Sequence, residues 1–262
     1  MRSALRSAVW GAAVGDALGV PFEFKSRDTF ECTDMVGFGT HHQPAGTWSD
    51  DTAMMLATCD SVRRTGGVDT DDLLRSFRRW FDEGAYTPDG TVFDYGGTTA
   101  EALRLGHGLS GKWDNGNGAL MRIAPLAFCE ATDDEVRAAS AVTHAHRIST
   151  EACVEFVHLL REAAAQPDHT HSRLLSEFEG MSRSDVRSGG YVLDTLAAAK
   201  WCFSTTSTYR DCVLVAVNLG SDTDTTACVA GALAGTAYGI DAIPQKWLDA
   251  MRGKDVLEAT LF

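Results

Sequence analysis

Apolar residues recur along most of the chain at the three-to-four residue spacing of amphipathic or buried helices, and alternation with a period of two is rare. Residues 2–14 carry a pattern compatible with a first helix, which is expected to end near Gly15-Asp16-Ala17-Leu18-Gly19. Residues 52–64 are apolar in their first half, as expected of a helix driven into a core. Residues 69–83 place Leu73, Leu74, Phe77, Trp80 and Phe81 on one face. Further helices are predicted at 98–106, 118–129, 133–145, 149–165, 171–179, 191–202, 208–219, 223–238 and 245–251. The β-branched run Val213-Leu214-Val215-Ala216-Val217 sits inside a longer helical pattern and does not read as a strand. No repeat of fixed period is present. The polar stretch 166–187 suits connections around a short helix better than a domain boundary. The pattern predicts an all-α fold and one domain spanning 1–262.

Charge narrows the range of partners. With 23 basic against 36 acidic residues, the formal charge is -13, a field that repels nucleic-acid phosphates and anionic membranes. General nucleic-acid binding is therefore not expected. An anionic small ligand remains compatible if bound cations and helix N-termini reverse the field locally. The seven cysteines are scattered and never spaced C-x-x-C, which argues against a zinc site and a disulfide framework and for a reducing compartment. No segment approaches the roughly 20 apolar residues of a membrane span, and the N-terminal apolar run is broken by Asp16, so a cytoplasmic protein is expected.

Two segments share an unusual chemistry. Gly46-Thr47-Trp48-Ser49-Asp50-Asp51-Thr52 leads into one apolar helix, and Gly220-Ser221-Asp222-Thr223-Asp224-Thr225-Thr226 leads into another. Each sets two carboxylates and a hydroxyl at a helix start. These are hard oxygen ligands suited to Mg²⁺, Mn²⁺ or Ca²⁺ rather than zinc. Taken singly, either segment reads first as a helix cap, because Ser and Asp are favoured there and acids complement the macrodipole. A cap, however, needs one acceptor, and adjacent carboxylates repel. Paired acids at two helix starts are better explained by two cations in an open site. A third acid, Glu23, lies between Phe22 and Phe24 in a Gly/Pro-broken loop; the residues alone favour a partly exposed loop glutamate, but apolar surroundings or a nearby cation would tune it as a general acid or base. An aspartate-rich terpenoid-synthase helix is excluded because Asp50-Asp51 is followed by Thr52, Ala53 and Met54. An HD-type phosphohydrolase is excluded because no His-Asp dipeptide occurs.

These motifs occur together with others, in order: Gly15-Asp16-Ala17-Leu18-Gly19 and Glu23; Ser49-Asp50-Asp51-Thr52; Phe93-Asp94-Tyr95-Gly96; Gly116-Asn117-Gly118 through Met121-Arg122-Ile123-Ala124-Pro125-Leu126; Thr143-His144; Gly190-Tyr191-Val192; and Asn218-Leu219-Gly220-Ser221-Asp222-Thr223-Asp224-Thr225. The set resembles the ADP-ribosylglycohydrolases, which include the bacterial dinitrogenase-reductase-activating enzymes. The resemblance implies an all-α fold with two divalent cations, Mg²⁺ or Mn²⁺, at the base of a cleft. The implied reaction is metal-dependent hydrolysis of the bond between ADP-ribose and an ADP-ribosylated protein side chain, arginine foremost, with ADP-ribose as product. It implies Ser49, Asp50, Asp51, Asp222, Asp224 and Thr225 as metal ligands, Glu23 as the catalytic loop glutamate, and Asp94 beside the distal ribose. Gly96, Gly116, Asn117, Gly118, His144 and Tyr191 are implied to line the substrate cleft, with His146 an equal candidate to His144. Two departures stand out: Ser49 replaces the usual threonine but keeps the hydroxyl, and glycine follows Tyr95 where dinitrogenase-reductase-type members carry asparagine. A binding module without catalysis, and hydrolysis of nucleic-acid-linked or small-molecule ADP-ribose, are the alternatives. The loops 28–44 and 87–94 are expected to set the acceptor.

Overall fold

The computed structural model describes residues 2–262. Among them, twelve α-helices and several short 3-10 turns are joined by loops, and three isolated β-bridges take the place of any sheet. The helices are α1 (Arg2–Gly19), α2 (Asp50–Thr65), α3 (Thr70–Glu83), α4 (Gly97–Leu105), α5 (Asp133–Ala141), α6 (Arg147–Ala165), α7 (Pro167–Glu177), α8 (Val192–Ser204), α9 (Tyr209–Val217), α10 (Thr223–Tyr238), α11 (Gln245–Ala250) and α12 (Lys254–Thr260).

The all-α reading holds, and the main departures from the predicted elements have identifiable reasons. Helix α1 does not stop at Gly15 but continues to Gly19. The glycines that read as helix breakers are instead points of backbone contact. A Cβ on Gly15 would lie 2.1 Å from the carbonyl oxygen of Ala227, and one on Gly19 would lie 2.3 Å from Cα of Asp224. Tertiary packing thus outweighs the propensity cost of about 1 kcal/mol per glycine. The predicted helix 118–129 is instead two 3-10 turns, Leu120–Arg122 and Ala124–Phe128. Pro125 supplies no N–H and sits at the start of the second turn, so a continuous α-helix would lose a bond there. Residues 133–145 are helical only to Ala141, after which the chain turns so that Thr143 and His144 can face inward. Helix α12 is not foreseen by the apolar pattern; it docks on α2 through the buried Leu257.

Helices α1 and α10 form the centre. Both are buried along nearly their whole length, and α10 is apolar on all sides, as a helix enclosed by others must be. Around this pair, α8 and α9 pack on α10, α2 on α1 and α3, and α6 on α5, α7 and α8. A single hydrophobic cluster runs through them. All seven cysteines are free, and six are buried in this apolar interior, where they act as small hydrophobes. No helix of the described residues is long and apolar enough to cross a membrane.

Candidate functional site

The starts of α2 and α10 meet at the C-terminal end of α1. Asp16 in the last turn of α1 is fully buried and spans the start of α2, accepting from the Ser49 N–H at 3.0 Å, the Thr52 N–H at 3.1 Å and the Thr52 hydroxyl at 2.6 Å. Ser49 itself accepts from the Asp51 N–H at 3.3 Å. The Ser49, Asp51 and Thr52 amides of this helix start are therefore served by Asp16 and Ser49, and neither Asp50 nor Asp51 acts as their cap. At α10 the N-cap residue Asp222 makes no side-chain capping bond. Instead its Oδ2 accepts from Asn117 Nδ2 at 2.7 Å. The hydroxyls of Ser49 and Thr225 converge on Oδ2 of Asp51, at 3.1 and 3.3 Å, so the two distant motifs become one cluster.

Two further acids reach this cluster from loops. The Glu23 loop is pinned to the Ser221 turn by paired backbone bonds, Phe24 N–H to Ser221 O at 2.7 Å and Ser221 N–H to Lys25 O at 2.8 Å. Phe24, Asp94 and Ser221 all lie in the left-handed region, with φ of 62°, 62° and 66°. Non-glycine residues hold that conformation only where surrounding contacts impose it. Ligand-type atoms of Glu23, His41, Asp94 and Asp224 all lie within 4.8 Å of one another.

Glu23, Asp50, Asp51 and Asp224 are buried, and Asp94 and Asp222 partly so. Among the described residues none of the six has a lysine or arginine partner; His41 alone approaches, contacting Glu23 and lying 3.6 Å from Asp94. Burial, then mutual repulsion, drives Asp50, Asp51 and Asp224 well above the usual carboxylate range. Burial likewise raises Asp222, and pushes Glu23 and Asp94 up to about 7 and Asp16 to about 6. Buried polar atoms are normally paired, yet Oδ1 of Asp51, Oδ1 of Asp222 and Oδ2 of Asp224 have no hydrogen-bond partner. Unpartnered carboxylate oxygens on hard-ligand residues, in a cluster short of positive charge, fit a site for metal ions.

Glu23, Asp50, Asp94, Asp222 and Thr225 form one wall of a cleft of about 340 Å³, whose other lining includes Gly96, Gly116, Asn117, Gly118, Met121 and His144. Ser49, Asp51 and Asp224 are buried and do not line the cleft. His144 is neutral, its pKa pushed down to about 3 by burial and by Arg122, and Nδ1 is bonded to the Thr143 hydroxyl at 2.9 Å. Arg122 is wholly buried against the Phe77 ring and holds Thr143 at 2.8 Å, which makes it a support for His144 rather than a cleft residue. His146 caps α6 through the Ile148 N–H and lines a second hollow of about 620 Å³. Tyr191 also belongs to that second hollow and not to the acidic cleft, and is bridged to Gly116. The Asn117 N–H is committed to Gly190 O at 3.0 Å, so it cannot serve a diphosphate as a free donor. Gly118 is required by His144, whose Cε1 would lie 2.8 Å from a Cβ there.

Three residues at the site escaped the sequence reading. Asp16 was visible in its motif, but nothing marked it as a cap for a helix 33 residues away. His41 belongs to a pair of adjacent histidines in a loop, a weak signal by itself. Trp113, 85% exposed in a polar loop, borders both hollows. A larger hollow of about 730 Å³ lies elsewhere, between Trp10, Ile243 and Leu248; its Glu258 is neutralised by Arg6, and no such cluster of acids converges there.

Comparison with known proteins identifies the family of the chain. The chain is 34% identical to the ADP-ribosylarginine hydrolase Tri1 of Pseudomonas putida (strain GB-1), over 93% of this chain and 73% of that protein. It is 32% identical to the ADP-ribosyl-[dinitrogen reductase] glycohydrolase of Rhodospirillum rubrum, over 93% and 88%. A solved structure described as an ADP-ribosylglycohydrolase-related protein complex superposes with a TM-score of 0.83 at 32% identity, covering 99% of this chain and 95% of that one. The model of one family, ADP-ribosylglycohydrolase, matches residues 1–261, and the chain belongs to that family.

Proposed function

We propose that this protein hydrolyses the glycosidic bond between ADP-ribose and a modified protein side chain, with arginine as the acceptor, releasing ADP-ribose and restoring the side chain. The observation that carries the proposal is the set of unpartnered oxygens on Asp51, Asp222 and Asp224 in a buried, cation-poor cluster that opens on a cleft. Arginine is favoured because relatives named for arginine-linked ADP-ribose match at 34% identity.

In this reading Ser49, Asp50, Asp51, Asp222, Asp224 and Thr225 hold two divalent cations, Mg²⁺ or Mn²⁺. When bound, these supply charge stabilisation and orientation for the ribose hydroxyls and a water. Glu23 faces the anomeric carbon as general acid/base: the carbon–nitrogen bond breaks, the nitrogen takes a proton, and water supplies the hydroxyl. Asp94 orients the distal ribose from the opposite loop. His144, neutral and fixed by Thr143, presents Nε2 toward the glycine segment. Gly96, Gly116 and Gly118 give the diphosphate a wall without side chains. Tyr191 supplies the adenosine end from the adjoining hollow, and Asn117 acts by holding Asp222.

The test is chromatographic detection of free ADP-ribose after incubation with an arginine-ADP-ribosylated protein. Release should require a divalent cation, stop with chelator and return on adding Mg²⁺ or Mn²⁺. Glu23→Gln should still bind ADP-ribose while turnover falls by about 10²–10⁴. Tight binding without release would identify a binding module instead. Serine- and base-linked substrates run beside the arginine-linked one test the acceptor.

A further inference from the structure

His41 is the one basic side chain in contact with the acid cluster, and the local fold is built to keep it there. Its Nε2 contacts Oε2 of Glu23 and lies 3.6 Å from Oδ1 of Asp94. The imidazole is only 15% exposed and stands between two aromatic rings, Phe24 at 6.1 Å and Phe93 at 5.2 Å between centroids. It ends a 3-10 turn, Gly39–His41, bracketed by Phe38 and His42, whose φ values of 69° and 55° put both in the left-handed region. The Phe38 N–H closes this turn on Gln43 O. Gly39 presses against the Val20–Phe22 turn so closely that a Cβ would lie 2.0 Å from Pro21 O. Thr40 donates its hydroxyl to the carbonyl oxygen of Glu23 at 2.7 Å. Two successive residues of one turn therefore grip the same glutamate, Thr40 by its backbone and His41 by its carboxylate.

A glutamate side chain has three rotatable bonds, and burial beside other acids gives it every reason to turn away. Displacing a catalytic group by about 1 Å costs of the order of a hundredfold in rate. We propose that His41 is a positioning residue for the reaction: it holds the Glu23 carboxylate in the rotamer that faces the scissile bond, and the turn at 38–43 exists to hold His41. The inference rests on the reading of Glu23 as the acid/base. It adds a residue to the machinery without making it a metal ligand or a substrate contact.

The test compares His41→Ala, His41→Gln, Glu23→Gln and the His41→Ala/Glu23→Gln double variant on an arginine-ADP-ribosylated protein, with Mn²⁺ binding measured by titration calorimetry. His41→Ala should lower kcat by about 10–100-fold while KM stays within about threefold. Mn²⁺ affinity should be unchanged. In His41→Gln the amide nitrogen can occupy the place of the imidazole Nε2, and most of the lost kcat should return. In the Glu23→Gln background, removing His41 should cost nothing more, because the group it positions is already disabled. Wild-type kcat in His41→Ala, or a fully additive loss in the double variant, overturns the assignment. A weakened Mn²⁺ titration overturns it too, making His41 a ligand instead. Full turnover in Glu23→Gln defeats the underlying reading itself, whereas loss there with full activity in His41→Ala defeats only this inference.

Discussion

The starts of α2 and α10 are near-duplicates in sequence and opposites in construction. At α2, the orphan amides are served by a carboxylate from another helix, Asp16, and by Ser49. Asp50 and Asp51 are thereby released from any capping duty. At α10 the N-cap residue Asp222 makes no capping bond and is steadied from outside by Asn117, while Asp224 accepts the Thr225 N–H through Oδ1 at 3.0 Å. Carboxylates at a helix start can thus be left free in two ways: both acids of α2 by a cap supplied from outside, and Asp222 of α10 because Asp224 takes a first-turn amide in its place. What the two starts share is a wall: α1 ends between them, with Asp16 touching one and Gly19 the other.

The first way to break the comparison is to remove one carboxylate from each side. Asp50→Ala and Asp222→Ala should each lower turnover by about 10³-fold or more, some 4 kcal/mol of transition-state stabilisation. Divalent-cation content should fall in both, by elemental analysis. Full activity in either would show that one cluster alone suffices.

The next effect concerns charge. Glu23 and Asp94 have folded-state pKa values raised to about 7, above the unfolded carboxylate range, so the metal-free fold gains most stability from them when they are protonated. That contribution is complete below about pH 4 and is lost as pH rises through about 7. The melting temperature of chelated protein should therefore drop across this interval. Saturating Mg²⁺ should restore it, by about 2.7 kcal/mol at a hundredfold excess over Kd. A Mg²⁺ effect equal at both ends of the interval would sever the acids from the cation.

The smallest effects separate the two constructions. Asp16→Ala leaves buried N–H groups unpaired and should lower unfolding free energy by about 1–3 kcal/mol, read from urea melts. Asn117→Ala should cost about 1 kcal/mol or less and show instead as a Mn²⁺ affinity weakened about tenfold or more. If the two variants behave alike, the distinction between the helix starts does not hold.

These acids were legible in the sequence because paired carboxylates at two helix starts exceed what a cap needs. Glu23 and Asp94 were visible as motif residues, and the structure brings both beside the other four acids. What was not legible depended on contacts between distant segments. Gly15 and Gly19 look like breakers until α10 is laid against them. Asp16 looks like an interruption of an apolar run until α2 is placed beside it. Arg122 sits where a diphosphate-binding cation would be attractive, yet its guanidinium is spent on Ala139, Ser140 and Thr143. His41 gave no signal because a histidine in a loop acquires meaning only from its neighbours in space. Periodicity also could not tell a helix from two 3-10 turns at 120–128, since both bury the same apolar residues.

The contact of α1 with α10 is made backbone to backbone, and this has a bearing on how such a chain can diversify. Adding or deleting one residue ahead of Gly15 would turn the glycine face by about 100° and drive a side chain into the carbonyl of Ala227. Length changes are therefore barred from the central helices. The loop 28–44 is fixed at Cys32, Asp34 and the turn 38–43, so added length fits between such anchors, where lengthening a loop costs only about 0.6 kcal/mol per doubling. Novelty in what the protein accepts has to enter at the rim, as insertions, around a frame whose register is fixed.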